Sequence, residues 1–253
     1  MGCRHAAIEA GPEGGPPGKH KARTLRDAIQ YIATTGCQWA QPPKDVPPFT
    51  TVQYHFYRMR DNGLLDAVNA MLVAWVRVSE CRTPAPTTGV IDSQSVRTAE
   101  AGGPRGYDAG KKIRGRKRHI VTDTLGNMLE GMLEGLVHGA DVRDRDGAPG
   151  LIERSCDAYP TLGRLFADGG YAGQTLEAAV AHIDRLTIEI IRRSDLPGFV
   201  ILPRRWVVER TLAWRNRCRR LAKDWAASIA SSEAWMVVSS IRRMTRRIAK
   251  LEL

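Results

Sequence analysis

Apolar residues along the chain change period near residue 88, and that change divides the sequence into an early helical part and a later mixed part. Leu25, Ile29 and Ile32 recur at helical spacing and stop at Gly36, which predicts a first helix. Pro42, Pro43, Pro47 and Pro48 hold the next stretch extended. Thr50 is a candidate cap for a second helix, with Val52, Tyr54, Phe56 and Tyr57 as its apolar body and Asp61-Asn62-Gly63 as its stop. A third helix is predicted over Leu64 to Val78. Beyond a Pro/Thr-rich stretch the period shortens. Strands are predicted at Thr88 to Ser93, His119 to Thr124, Met128 to Val137, Arg164 to Ala167 and Leu186 to Ile191. Helices are predicted at Asp146 to Tyr159, Gly173 to Ile183 and from Trp206 onward.

Three strands, helix, strand, helix, strand, helix is the element order of a ribonuclease-H-like α/β fold: a mixed five-stranded sheet flanked by helices. In that order the first and fourth strands are neighbours, and ligands collect at their carboxyl ends. The expected organisation is a tail over 1–23, a small all-helical domain of DNA-binding type over 24–81, a linker over 82–88 and the catalytic domain with basic C-terminal helices over 89–253. The helical unit is also compatible with a plain packing role.

Composition narrows the class. The five cysteines are widely spaced and never form C-x-x-C, which fits a reducing cytoplasm better than a secreted disulfide framework. The apolar run from Leu64 to Val78 is broken by Asp66, Asn69 and Arg77, so no membrane span is expected. The net charge is +11, and Pro203 to Lys250 holds thirteen Lys/Arg against three acids. Such a region neutralises phosphates and suits a nucleic-acid partner, although a solvated helix face gives the same composition. No G-x-x-x-x-G-K-[ST] loop is present, so no nucleotide cofactor is expected.

Against this basic background three acids stand out: Asp92 at the end of an apolar strand, Asp168 in Leu165-Phe-Ala-Asp-Gly-Gly-Tyr171, and Glu209 in Arg204-Arg-Trp-Val-Val-Glu-Arg210. Phosphodiester chemistry needs an activated oxygen nucleophile and a stabilised leaving oxygen, which two divalent ions held by a few carboxylates provide. Asp92 would bridge the ions, and Asp168 and Glu209 would each complete one shell. Arg205 and Asn216 share the helical face of Glu209. Lys111, Lys112, Arg114, Arg116, Lys117 and Arg118 form a run expected to contact phosphate beside the site. His119 reads as a strand-starting residue, and Asp141, Asp144 and Asp146 as preparation for a helix start. For Trp206, Trp214 and Trp225 core packing is favoured over base stacking.

Ile91-Asp-Ser-Gln-Ser-Val-Arg97, Gly115-Arg-Lys-Arg-His-Ile-Val-Thr-Asp-Thr-Leu-Gly126, Ala140-Asp-Val-Arg-Asp-Arg-Asp-Gly147, Ala167-Asp-Gly-Gly-Tyr-Ala-Gly173 and Pro203 to Trp214 together resemble the DDE transposases of bacterial insertion sequences, family five. Thr35-Gly-Cys-Gln-Trp39 and Tyr57-Arg-Met-Arg-Asp-Asn-Gly63 are similar to that family's N-terminal helical domain. The resemblance implies a DDE triad of Asp92, Asp168 and Glu209, Mg²⁺ (or Mn²⁺) as cofactor, binding to terminal inverted repeats and target DNA, strand cleavage, and attack of the freed 3′-hydroxyl on target DNA. It also implies a homo-oligomer in the synaptic complex. Arg205 and Glu209 keep the places of the family's Tyr, Arg, Glu, Lys pattern, whereas Leu202 replaces the Tyr and Asn216 the Lys, with Arg215 and Arg217 alongside. The tail over 1–18 differs from the leading helix of that family, which leaves open a 5′-truncated, non-catalytic DNA-binding remnant that represses transposition. A plain nuclease of the same fold is a third reading.

Overall fold

The computed structural model of the protein describes residues 19–100, 103–129, 137–191, 210–211, 213 and 217–251. The N-terminal part is three helices, α1 (Ala22–Thr35), α2 (Phe49–Asp61) and α3 (Leu64–Ser79). Helix α1 buries Leu25, Ala28, Ile29, Ile32 and Ala33, a stripe at helical spacing. Each large aliphatic side chain so buried contributes about 1.5–3 kcal/mol. The helix ends at Gly36, whose φ of 70° lies in the left-handed region and lets its N–H reach the Ile32 carbonyl. Helix α2 begins at Phe49, one residue before the expected Thr50 cap, and Pro48 occupies the cap position without a side-chain hydrogen bond.

The rest is an α/β unit built on one mixed sheet. Its strands are β1 (Thr88–Arg97), β2 (Gly106–Asp108), β3 (Ile113–Asp123), β4 (Val137–Gly139), β5 (Arg164–Asp168) and β6 (Thr187–Ile191). The order is β2-β3-β1-β5-β6, with β4 also on β3. Strand β3 runs antiparallel to β1 from Gly89–Asp123 to Arg97–Gly115. Strand β5 is parallel to β1, and β6 to β5. A long antiparallel pair beside two parallel strands, with helices α4 (Asp144–Gly147), α5 (Pro149–Ala158), α6 (Gln174–Val180) and α7 (Ile229–Leu251) around them, is the ribonuclease-H-like arrangement. Among the described residues it has six strands, where five were expected. The short β2 follows a glycine- and proline-bearing stretch and was not expected, and the predicted strand over Met128 to Val137 is represented by one bridge, Thr122–Met128, and by β4. Residues 130–136 lie outside the described part.

One hydrophobic cluster spans the molecule, from Leu25 through Val90 and Leu165 to Ile248. Helix α7 packs across all three N-terminal helices. Its Trp235 stacks on Phe56 with ring centroids 4.4 Å apart and lies 5.6 Å from Trp39, while Gln30 donates to the Val238 carbonyl. The turn after β3 ties these parts together. Asp123 pairs with buried Arg77 of α3 at 2.8 Å, and Arg243 of α7 donates to the Gly126 carbonyl and Asn127 Oδ1.

Candidate active site

Asp92 lies in the middle of β1 rather than at its end, because the strand continues through Ser93 and Ser95 to Arg97. Its pairing with β5 stops earlier, after Val90–Phe166. Asp168 is the last residue of β5. Both acids lie two positions beyond that last pair, so the parallel register carries them to the same level on adjoining strands. Both are half-buried. Asp92 Oδ1 accepts the Ser93 N–H at 2.7 Å, and Asp168 Oδ1 accepts the Gly170 N–H at 2.8 Å.

Asp144, at the start of α4, is brought to this pair. Its Oδ1 accepts the Ser93 hydroxyl at 2.7 Å and the Lys117 ammonium at 2.9 Å. Its Oδ2 and Asp168 Oδ1 stand 2.9 and 3.0 Å from the place a Cβ on Gly170 would take. Ser93 is also hydrogen-bonded to the hydroxyl of Tyr171, which is 3.0 Å from His119 Nδ1. Hydrogen counting orients the chain: the Asp144 carboxylate only accepts, so Ser93 donates to it, Tyr171 donates to Ser93, and neutral His119 donates through Nδ1. His119 is not the start of a strand. It lies inside β3, opposite Ser93, and is fully buried.

The electrostatics follow from that packing. Burial, and then the nearby Asp92, Asp144 and Asp168 carboxylates, push the Tyr171 hydroxyl well above its ordinary pKa. Burial and the neighbouring His138 lower His119 to about 3, so its imidazole is neutral. Burial acts to raise the Asp144 carboxyl, but the Lys117 and Ser93 hydrogen bonds outweigh it and the net shift is downward.

The run of cations before His119 divides in two, which corrects the expectation of a continuous phosphate-contacting segment. The run belongs to β3, and strand alternation turns its side chains to opposite faces. Arg116 and Arg118 are buried against Asp224 at 3.3 and 3.5 Å, and Arg116 also donates to the carbonyls of Pro104, Ala226 and Ala227. Lys117 is buried on the other face, where it serves Asp144 and the Val142 carbonyl. These three charges are taken up inside the protein. Lys111, Lys112 and Arg114 remain exposed around the β2–β3 turn, and Arg217 is exposed as well. In α7, Arg243 is largely buried and Arg247 is paired with Glu80 at 2.7 Å. Trp225 is 42% exposed, with Lys223 over its ring, so it is no core residue.

Glu209, Arg205 and Arg215 lie outside the described residues, as do Leu202, Trp206, Trp214 and Asn216. Among the described residues no group of three or more histidine, cysteine, aspartate or glutamate side chains is arranged as a complete metal site. Asp92 and Asp168 are nevertheless the right donors for Mg²⁺ or Mn²⁺: hard oxygens, half-exposed, on adjoining strands, beside a glycine that leaves the approach to Asp168 free of a side chain. Asp144, Ser93 and Tyr171 were missed as neighbours of the acid pair, and Lys117 was expected at phosphate rather than at Asp144. The signal available was the parity of a β1–β3 hairpin, which sets Ser93 opposite His119.

Comparison with known proteins identifies the family of the chain. Residues 83–242, more than half of the chain, match the family described as "Transposase DDE domain". Residues 5–69 match "Putative transposase of IS4/5 family (DUF4096)". No curated protein matches in sequence. Among solved structures, the Mos1 transposase paired-end complex with left transposon end is similar at 10% identity and a TM-score of 0.32, over 96% of this chain and 81% of that one. DDE transposases act on DNA and generally use divalent metal ions, and on the extent of the match this chain belongs to the DDE transposases of IS4/5-type insertion sequences.

Proposed function

We propose that the protein binds the terminal inverted repeats of an insertion sequence, cleaves DNA at their ends and transfers the freed 3′-hydroxyl to target DNA. Asp92, Asp168 and Glu209 would hold two Mg²⁺ ions, for which Mn²⁺ can substitute. The observation that carries the reading is the pair of carboxylates at one level on parallel β1 and β5. Bound there, divalent cations would activate the oxygen nucleophile and stabilise the leaving oxygen of the phosphodiester. The chain's own part is to orient: the Ser93 and Gly170 backbone N–H groups donate to Asp92 and Asp168. Exposed Lys111, Lys112, Arg114 and Arg217 would neutralise backbone phosphates, with Arg205 and Arg215 from the segment around Glu209. Helices α1–α3 would supply end recognition, and pairing of two ends would take more than one protomer.

The test is incubation of purified protein with Mg²⁺ and a duplex carrying the terminal repeats that flank its gene, with Asp92→Asn and Glu209→Gln as controls. Cleavage and joining by the wild type, abolished in both variants while DNA binding persists, is the expected result. Binding without cleavage in all three overturns the catalytic reading and leaves a repressing remnant. Cleavage without end preference or joining leaves a nuclease.

A further inference from the structure

Among the described residues, Asp144 stands beside the supports of both carboxylates. On one side it accepts the hydroxyl of Ser93, whose own N–H is held by Asp92. On the other, its Oδ2 stands 2.9 Å from the place a Cβ on Gly170 would take, and the Gly170 N–H donates to Asp168. Ser93 and Asp92 are consecutive in an extended strand, so they face opposite sides of the sheet. Anchoring Ser93 from behind therefore fixes the backbone from which Asp92 projects in front. Asp144 accepts this bond most strongly when ionised, and Lys117 favours that form: the buried ammonium sits 2.9 Å from Asp144 and is fixed in turn by the Val142 carbonyl at 2.7 Å. Tyr171 and His119 close the arrangement from below with no exposed atom to spare.

We propose that the Lys117–Asp144 ion pair is a positioning device for the metal-binding acids, setting Asp92 through Ser93 and Asp168 through Gly170. It rests on the reading of Asp92 and Asp168 as ligands. Three carboxylates gathered near one tyrosine repel one another. A single fixed cation behind them, Lys117, offsets part of that repulsion. Groups that orient metal ligands from behind typically change metal affinity or activity by about 10- to 100-fold when removed.

The experiment measures Mn²⁺ binding to the purified full-length protein without DNA, by the loss of the free-ion electron paramagnetic resonance signal. Wild type, Asp144→Asn, Ser93→Ala and Asp92→Asn are compared, with metal-free thermal melts of each. Asp144→Asn should bind Mn²⁺ at least about tenfold more weakly, and Ser93→Ala should weaken binding in the same direction by a smaller factor, with both variants still folded at the assay temperature by their metal-free melts. Weakened binding in a folded variant is what a merely structural ion pair would not produce. Should Asp144→Asn fail to fold, Ser93→Ala decides. Wild-type binding in Asp144→Asn and Ser93→Ala, with binding lost in Asp92→Asn, overturns the positioning role and leaves the proposed function standing. Undiminished binding in Asp92→Asn, or none in the wild type, overturns both.

Discussion

The two faces of β3 carry the same kind of residue to different ends. On one face Arg116 and Arg118 are locked onto Asp224 and the carbonyls around Ala226, so their charges hold the C-terminal segment to the sheet. On the other, Lys117 and His119 reach Asp144 and Tyr171 behind the acid pair. Interleaved in sequence, one set is a fastener and the other a support for the acid pair. A run of basic residues therefore has no single role, and position parity in the strand decides which carboxylate each cation meets.

The sharpest way to break the comparison is Arg116→Met. It leaves Asp224 buried with one cation fewer and three carbonyls without their donor, a loss of about 3–5 kcal/mol expected for a broken buried pair. Chemical denaturation should show it, with loss of soluble protein as the extreme case. An unchanged midpoint would mean that the Arg116 face is not a fastener.

The opposite face should reveal itself through pH. Burial, and then His138, hold the folded pKa of His119 near 3 against an ordinary 6.5, so the depressed value favours the fold above the unfolded pKa, and that stability is lost as pH falls from 6.5 toward 3. Each pH unit well inside that window costs up to about 1.4 kcal/mol from this residue. Denaturation midpoints of wild type and His119→Phe should diverge at neutral pH and converge on acidification. Parallel curves would place His119 outside the buried chain.

The smallest effect on stability belongs to the exposed tip. Replacing Lys111, Lys112 and Arg114 by Ala should move stability by less than about 0.5 kcal/mol, since no buried partner is lost. The same triple variant should reduce the salt dependence of DNA binding, by a slope of about one for each phosphate contact removed. Arg118→Ala, set beside it, should destabilise the fold, which is the contrast between a surface cation and a buried one.

Much of the fold was legible in the chain. Leu25, Ile29 and Ile32 marked α1, Gly36 its end, and the apolar runs around Val90 and Phe166 marked the two parallel strands. The start of β3 was not, because six cations in eight residues resemble a solvated loop until Asp224, more than a hundred residues later, is brought against them. Asp92 and Asp168 were legible as strand-associated acids in an otherwise basic protein. Asp144 was not, since an acid at a helix start is the ordinary sign of a favourable helix terminus, and its contacts with Ser93 and Lys117 depend on pairings across the sheet. Local pattern reports which face a residue takes. It does not report which distant residue waits on that face.

The clasp of α7 across α1, α2 and α3 has a consequence for synthesis. The first helices leave the ribosome long before the last, so the surfaces of Phe56 and Trp39 that Trp235 covers stay open until nearly the whole chain is made. Chains released before residue 229 lack that cover and expose apolar helix faces to chaperones and proteases. A chain that stops short of α7 thus leaves the aromatic core of its first three helices uncovered.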